Sequence, residues 1–224
     1  MNMGKLIVLE GTDGSGKSTQ FQLLKQRLER EGTAFRTIEF PRYQEPSSAL
    51  IRMYLDGEFG RNPGDVNAYA ASTFYAVDRY ASFRMDWGAY YKQGGLLLSD
   101  RYTSSNAVHQ ASKLREPMRP DFYRWLYDLE FVRFGLPVPD LVIYLDMPTE
   151  LSEALLRKRE NDTHTHADIH EQDLDYLRVC RNTGLEAAAF YGWRVISCAQ
   201  NGALRSPEDI HEEIYRTMKQ RLEG

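Results

Sequence analysis

Apolar and polar positions change in blocks along the chain, and the blocks read as strands and helices in turn. Residues 5–10 (KLIVLE) form a short apolar run, predicted as a buried strand. A helix follows over 16–30, with Phe21, Leu24 and Leu28 on one face and Gly32 as its stop. A second strand is predicted over 34–40, helices over 47–55 and 66–91, and a third strand over 96–99 after Gly94 and Gly95. A helix over 121–134 ends near Gly135 and Pro137, and 141–145 (LVIYL) reads as a fourth strand. Helices over 149–159 and 172–191 flank a polar stretch, 160–171, the best candidate for a lid. A fifth strand is predicted over 194–197. The last helix opens with Ser206-Pro207-Glu208-Asp209, a capping pattern, and carries the stripe Ile210, Ile214, Met218 and Leu222. His211, beside that stripe, is expected to be solvated.

Short strands separated by helices imply an α/β fold: a parallel sheet covered on both faces, with ligands held beyond the carboxyl ends of the strands. No repeat or linker divides the 224 residues, so a single domain over 1–224 is expected, with a lid near 157–171. The net charge of −4 argues against a partner that is a nucleic acid polymer or an anionic membrane. Two cysteines, Cys180 and Cys198, make no disulfide framework and read as buried thiols. The apolar run near the start stops at Glu10, too short for a membrane span. A cytoplasmic location is expected.

The strongest motif is Gly11-Thr12-Asp13-Gly14-Ser15-Gly16-Lys17-Ser18, a GxxxxGK[ST] loop between a predicted strand and a predicted helix. Glycines let backbone N–H groups converge on phosphate oxygens, and the helix start adds its positive end. Lys17 should reach the β- and γ-phosphates, and Ser18 should ligate Mg²⁺. A nucleoside triphosphate with magnesium follows. A guanine-reading Asn-Lys-x-Asp is absent, so a GTPase loses support.

Asp100 follows the third strand, where a carboxylate would hold Mg²⁺ or its water shell, and Arg101 is next to it. Phe40-Pro41-Arg42-Tyr43 ends the second strand, and Arg42 could reach a second anion. Tyr75 and Arg79 are four residues apart on a helix, so an aromatic plate and a guanidinium share a face. That pair could stack on a base and bind its phosphate. One triphosphate does not need Arg42, Arg79 and Arg101 beside Lys17, whereas two phosphorylated ligands do. The pattern points to transfer from ATP to a nucleoside monophosphate.

With EGTDGSGKST, FPRY, TFYAVDRY, SDRYTSSNAVHQ, LLRKRE and ADIHEQD, the chain resembles the thymidylate kinase family over nearly its whole length. The resemblance implies a P-loop fold with a five-stranded parallel sheet, a homodimer, and synthesis of dTDP from dTMP and ATP. It extends the ATP-binding loop to Thr19. It implies that Asp13 approaches the dTMP sugar or its phosphate and magnesium region, and that Phe40 packs against the acceptor nucleotide. Arg42 and Arg101 would orient the acceptor phosphate, and Tyr75 would stack on thymine. Arg79 would bond the thymine carbonyl edge rather than a phosphate, and Asn106 would help position the base. His109 stands where many members carry Tyr, near the sugar 2′ position. Gly14 stands where one subgroup has Arg, so Arg157 and Arg159 of the lid would supply that charge over ATP.

Two rival readings need different residues. A deoxynucleoside kinase needs a carboxylate base, for which Glu39 is the candidate. A non-catalytic nucleotide-binding switch would bind ATP without acceptor-dependent turnover.

Overall fold

The computed structural model describes residues 3–62, 64–163 and 174–223, with the backbone alone for 158–163 and 174. Five strands form one parallel sheet: β1 (Lys5–Gly11), β2 (Arg36–Glu39), β3 (Leu96–Asp100), β4 (Leu141–Asp146) and β5 (Arg194–Ser197). Their order is β2-β3-β1-β4-β5. Leu6, Ile7, Val8 and Leu9 are all fully buried, as a strand covered on both faces requires. The α/β fold expected from the sequence is therefore the observed one.

The chain falls into two compact units, 1–8 with 34–140 and 9–33 with 141–224. In the first, β2 and β3 pair from Arg36↔Leu97 to Glu39↔Asp100. Phe40 extends the ladder by donating its N–H to the Asp100 carbonyl, and a cis peptide bond to Pro41 follows. In the second unit, α1 (Lys17–Arg30) follows the loop, and β4 pairs with β5 from Ile143↔Arg194 to Asp146↔Ser197.

The first unit carries α2 (Ala49–Leu55), α3 (Ala68–Ser82), α4 (Gly88–Lys92), α5 (Thr103–Ser105) and α6 (Arg119–Tyr127). The single helix expected over 66–91 is interrupted. Asn67 caps α3 by accepting from the Ala70 N–H, which starts the helix at Ala68. A wide π-type turn, Phe83–Trp87, then separates α3 from α4 and turns Phe83 and Trp87 inward. A second wide turn, Asp128–Arg133, ends α6 earlier than the predicted 134 and brings Glu130 into the core. Between α5 and α6 lie a third wide turn, Asn106–Gln110, and tight turns at Ala111–Lys113 and Glu116–Met118, for which the sequence pattern predicted no element.

The second unit carries α7 (Thr149–Thr163), α8 (Leu174–Tyr191) and α9 (Pro207–Glu223). Ser206 Oγ accepts from the Asp209 N–H, the expected cap of α9. Ile210, Ile214 and Met218 are buried as predicted, but His211 is not solvated: it is 6% exposed, and neither ring nitrogen has a hydrogen-bond partner among the described residues. The α1–α9 packing explains this, since it covers more of α9 than one narrow stripe. A small hairpin, Ala199–Gln200 with Ala203–Leu204, was also unforeseen. Its turn, Asn201-Gly202, has both residues at positive φ, the Asn-Gly hairpin signal. Cys180 and Cys198 are buried and free. Among the described residues no helix is long and apolar enough to cross a membrane.

Candidate active site

The phosphate loop is built within the second unit by backbone geometry. Gly14 and Gly16 sit at φ 75° and 80°, a left-handed conformation that L side chains rarely adopt. A Cβ on Gly14 would stand 2.7 Å from the Ser152 carbonyl oxygen and 2.9 Å from Leu156. This chain therefore has no room at Gly14 for the Arg of the related subgroup. The Glu10 carboxylate, fully buried, accepts from the Gly11 N–H at 3.0 Å, and the Ser15 N–H closes onto the Thr12 carbonyl at 3.1 Å.

α1 begins directly after Gly16, with no side-chain cap and no acidic residue in its first turn. Its N-terminal amides and its positive end are thus left for an outside anion. Lys17 is buried at this start, while Ser18 and Thr19 are exposed. Thr12 and Ser15 are buried, and Asp13 is half-buried. Arg157, on α7, is exposed and pairs with Glu153 one turn earlier. The Arg159 side chain and most of the expected lid lie outside the described residues.

Apart from Asp13, the residues expected on the acceptor side lie in the first unit and come from four elements. Phe40 is buried against the Tyr102 ring at 5.9 Å. Arg42 has its N–H held by Asp78 Oδ2 at 2.9 Å. Its guanidinium donates to Ser82 Oγ at 3.1 Å and to Glu45 Oε1 at 3.3 Å, and lies 3.4 Å from Asp86. Asp78, 1% exposed, also accepts from Ser47 Oγ. It thus ties the turn after β2 to α3.

Tyr75 and Arg79 lie one turn apart on α3, and Asn106 reaches the same helix by donating Nδ2 to the Ser72 carbonyl at 3.1 Å. Burial pushes the Tyr75 hydroxyl pKa up, as do Tyr43 and Tyr54, while Arg101 and Arg79 pull the other way. Arg79 and Arg101 are therefore both within electrostatic reach of Tyr75. Arg79 is 1% exposed and makes a two-point pair with the fully buried Glu130, at 2.7 Å from Nε and 2.6 Å from Nη2. Its Nη1 donates to the Tyr102 carbonyl at 3.3 Å, which leaves a further N–H on each terminal nitrogen. Glu130 also accepts from Thr103 Oγ1 at 2.7 Å.

Arg101 has φ 65°, in the left-handed region, a strained conformation for a residue with a side chain. Its carbonyl accepts from Ser99 Oγ, and its Nη1 lies 3.0 Å from His109 Nε2 and 3.5 Å from Ser105 Oγ. Asp100, the last residue of β3, is half-buried. Glu39 is exposed on β2.

Sequence reasoning missed Glu130, Asp78, Tyr54 and Lys113. Lys113 Nζ donates to Tyr54 Oη at 2.7 Å and to the Val66 carbonyl at 3.1 Å, and burial pushes its pKa down to about 8. Asp78 stood inside TFYAVDRY and was legible as an acid beside Arg79. Glu130 had no local signal, because its partner is 51 positions away.

A glycine loop with open helix-start amides, at the end of a parallel strand, defines a P-loop nucleotide-binding α/β protein. A family model described as thymidylate kinase matches residues 9–214. A thymidylate kinase of Mycobacterium tuberculosis is 33% identical over 190 residues, covering 84% of this chain and 87% of that protein. A probable thymidylate kinase of Pyrobaculum aerophilum is 29% identical over 213 residues, covering 95% of each. The solved structure of the Candida albicans thymidylate kinase superposes with a TM-score of 0.69 at 20% identity, over 97% of this chain and 92% of that one. That likeness concerns the fold. The chain belongs to the thymidylate kinase family, and it is a phosphotransferase.

Proposed function

We propose that the protein transfers the γ-phosphoryl group of ATP to dTMP, giving dTDP. The observation that carries this is the span of the family match, 9–214, which takes in the phosphate loop and every acceptor-side residue named above. The loop amides and Lys17 hold the donor phosphates. Arg42 and Arg101 bind and orient the acceptor phosphate, Tyr75 and Phe40 pack against the nucleotide, and Asn106, Arg79, Asp13 and His109 position its base and sugar. Arg157 and Arg159 of the lid, near 157–171 in a single kinase domain, supply charge over ATP. The crowding at Gly14 supports this, since the cation cannot come from the loop there.

The acceptor phosphate has a second pKa of about 6, so its oxygen is mostly ionised at neutral pH. No general base is needed, and Glu39 has no task. The residues must hold two anions in line and neutralise charge on the moving group. Lys17, Arg101 and the lid arginines do so, and exclusion of water keeps the donor from hydrolysis.

Mg²⁺ fits the donor chemistry at Ser18 and Asp100, a hydroxyl and a carboxylate. Among the described residues no group of three or more His, Cys, Asp or Glu forms a cage, and Mg²⁺ characteristically takes few protein oxygens beside substrate phosphates. When bound, the ion neutralises charge on the donor phosphates.

We place the enzyme in the cytoplasm, as a homodimer acting on free nucleotides. Exposed Val77 and Tyr80 on α3 and Met85 beyond it support the pairing face, which sedimentation at micromolar concentration tests. The function itself is tested by ADP release from ATP and Mg²⁺ with dTMP, dUMP, UMP, dCMP or thymidine. Turnover with dTMP well above UMP is expected. Turnover with thymidine alone would overturn the assignment.

A further inference from the structure

We infer that His109 is a positioning residue that works only in its neutral form, holding Arg101 through an unprotonated Nε2. The inference rests on the reading of Arg101 as a ligand of the acceptor phosphate.

An arginine side chain only donates hydrogen bonds. With Arg101 Nη1 at 3.0 Å, His109 Nε2 must therefore accept, and its proton sits on Nδ1. Protonation of Nε2 would remove the acceptor and set a cation against a cation. The Arg101 backbone is held at φ 65°, with its carbonyl fixed by Ser99, so the direction in which the side chain leaves the strand end is set. What remains adjustable is the guanidinium, and its contacts include His109 at 3.0 Å and Ser105 at 3.5 Å.

The other charged groups near this turn have their own partners. On α3, Arg79 is matched by Glu130, and Asp78 accepts from the Arg42 N–H and Ser47 Oγ. Tyr75, whose hydroxyl pKa is pushed up, is neutral through the working range. In the following turn, Lys113 is engaged by Tyr54 and Val66. On α6, Arg119 donates to the Leu114 carbonyl, Asp121 pairs with Arg124, and Tyr123 is buried. Arg101 Nη1 is placed directly against the imidazole, 3.0 Å from Nε2.

The test compares wild type with His109→Gln and His109→Phe. Gln carries an amide oxygen that can take the place of Nε2 and does not titrate, while Phe has no acceptor. The readout is kcat/KM for dTMP from pH 8 to 5.5 at saturating ATP and Mg²⁺. The acceptor phosphate itself titrates near pH 6, so the ratio of H109Q to wild type is used, in which that effect cancels. The ratio is expected to rise by about threefold or more as the pH falls, because only the wild type loses its acceptor. H109F is expected to fall below H109Q at every pH, with its KM for ATP unchanged. A flat H109Q to wild-type ratio overturns the inference, whether or not H109F folds. Absence of dTMP turnover in the wild type at pH 8 overturns the functional reading instead.

Discussion

In the proposed function the phosphate loop and the acceptor side both hold a nucleotide, yet they are made of different materials. The loop uses peptide N–H groups, fixed by two glycines at positive φ and by one uncapped helix start. It needs no counter-charge, because each amide carries only a partial charge. The acceptor side uses whole guanidinium cations, each already braced by the protein. Glu130 braces Arg79, Ser82, Glu45 and Asp86 brace Arg42, and His109 braces Arg101. A site of backbone dipoles can be written in eight consecutive residues. A site of buried cations must recruit carboxylates and acceptors from distant elements.

The largest effect expected is from Lys17→Ala, the one full positive charge in the loop. It should lower kcat by about 10³-fold while the melting temperature stays within a degree or two of wild type. A folded variant with full activity would remove Lys17 from the chemistry. Next is Glu130→Gln on the acceptor side. Leaving Arg79 buried beside a neutral partner should cost about 3–5 kcal/mol in urea unfolding. The double variant Arg79→Leu with Glu130→Leu should regain most of that stability but not dTMP turnover. If the double variant kept turnover, Arg79 would be a structural residue only.

Two glycines sharpen the comparison within the loop. Gly14→Ala meets both the φ penalty and a clash with Ser152, whereas a Cβ on Gly16 meets nothing within 4 Å. Gly14→Ala should therefore lose about 1–3 kcal/mol more than Gly16→Ala in the same measurement. Equal losses would mean that φ alone governs the loop. The smallest effect concerns His211, a buried side chain whose ring nitrogens have no hydrogen-bond partner among the described residues. Burial, the largest cause, lowers its pKa. Above pH about 7.5 it is neutral folded and unfolded, and nothing is lost. Below that, the unfolded chain takes up a proton that the folded chain resists, so stability falls as the pH falls. His211→Phe should flatten that slope in unfolding measured from pH 7.5 to 5.5.

The same contrast explains what could be read in the sequence. The loop, β1 and the order of strands and helices were legible because their signals are contiguous. The placement of Asp100 and Arg101 at a strand end and of Tyr75 and Arg79 on one helix was legible from the same contiguous patterns. Glu130 was not, because the wide turn that points it inward leaves no mark in composition or period. The break in 66–91 escaped for the same reason. His211 was misjudged because the stripe was drawn too narrow, although Asn201-Gly202 did announce a hairpin that was not taken up.

The Arg79–Glu130 pair has a consequence for descent. Loss of either partner strands a charge in the core, so a lineage cannot reach the neutral pair by two acceptable single steps. The two codons, 51 positions apart, should be inherited as one unit: retained together, or replaced together.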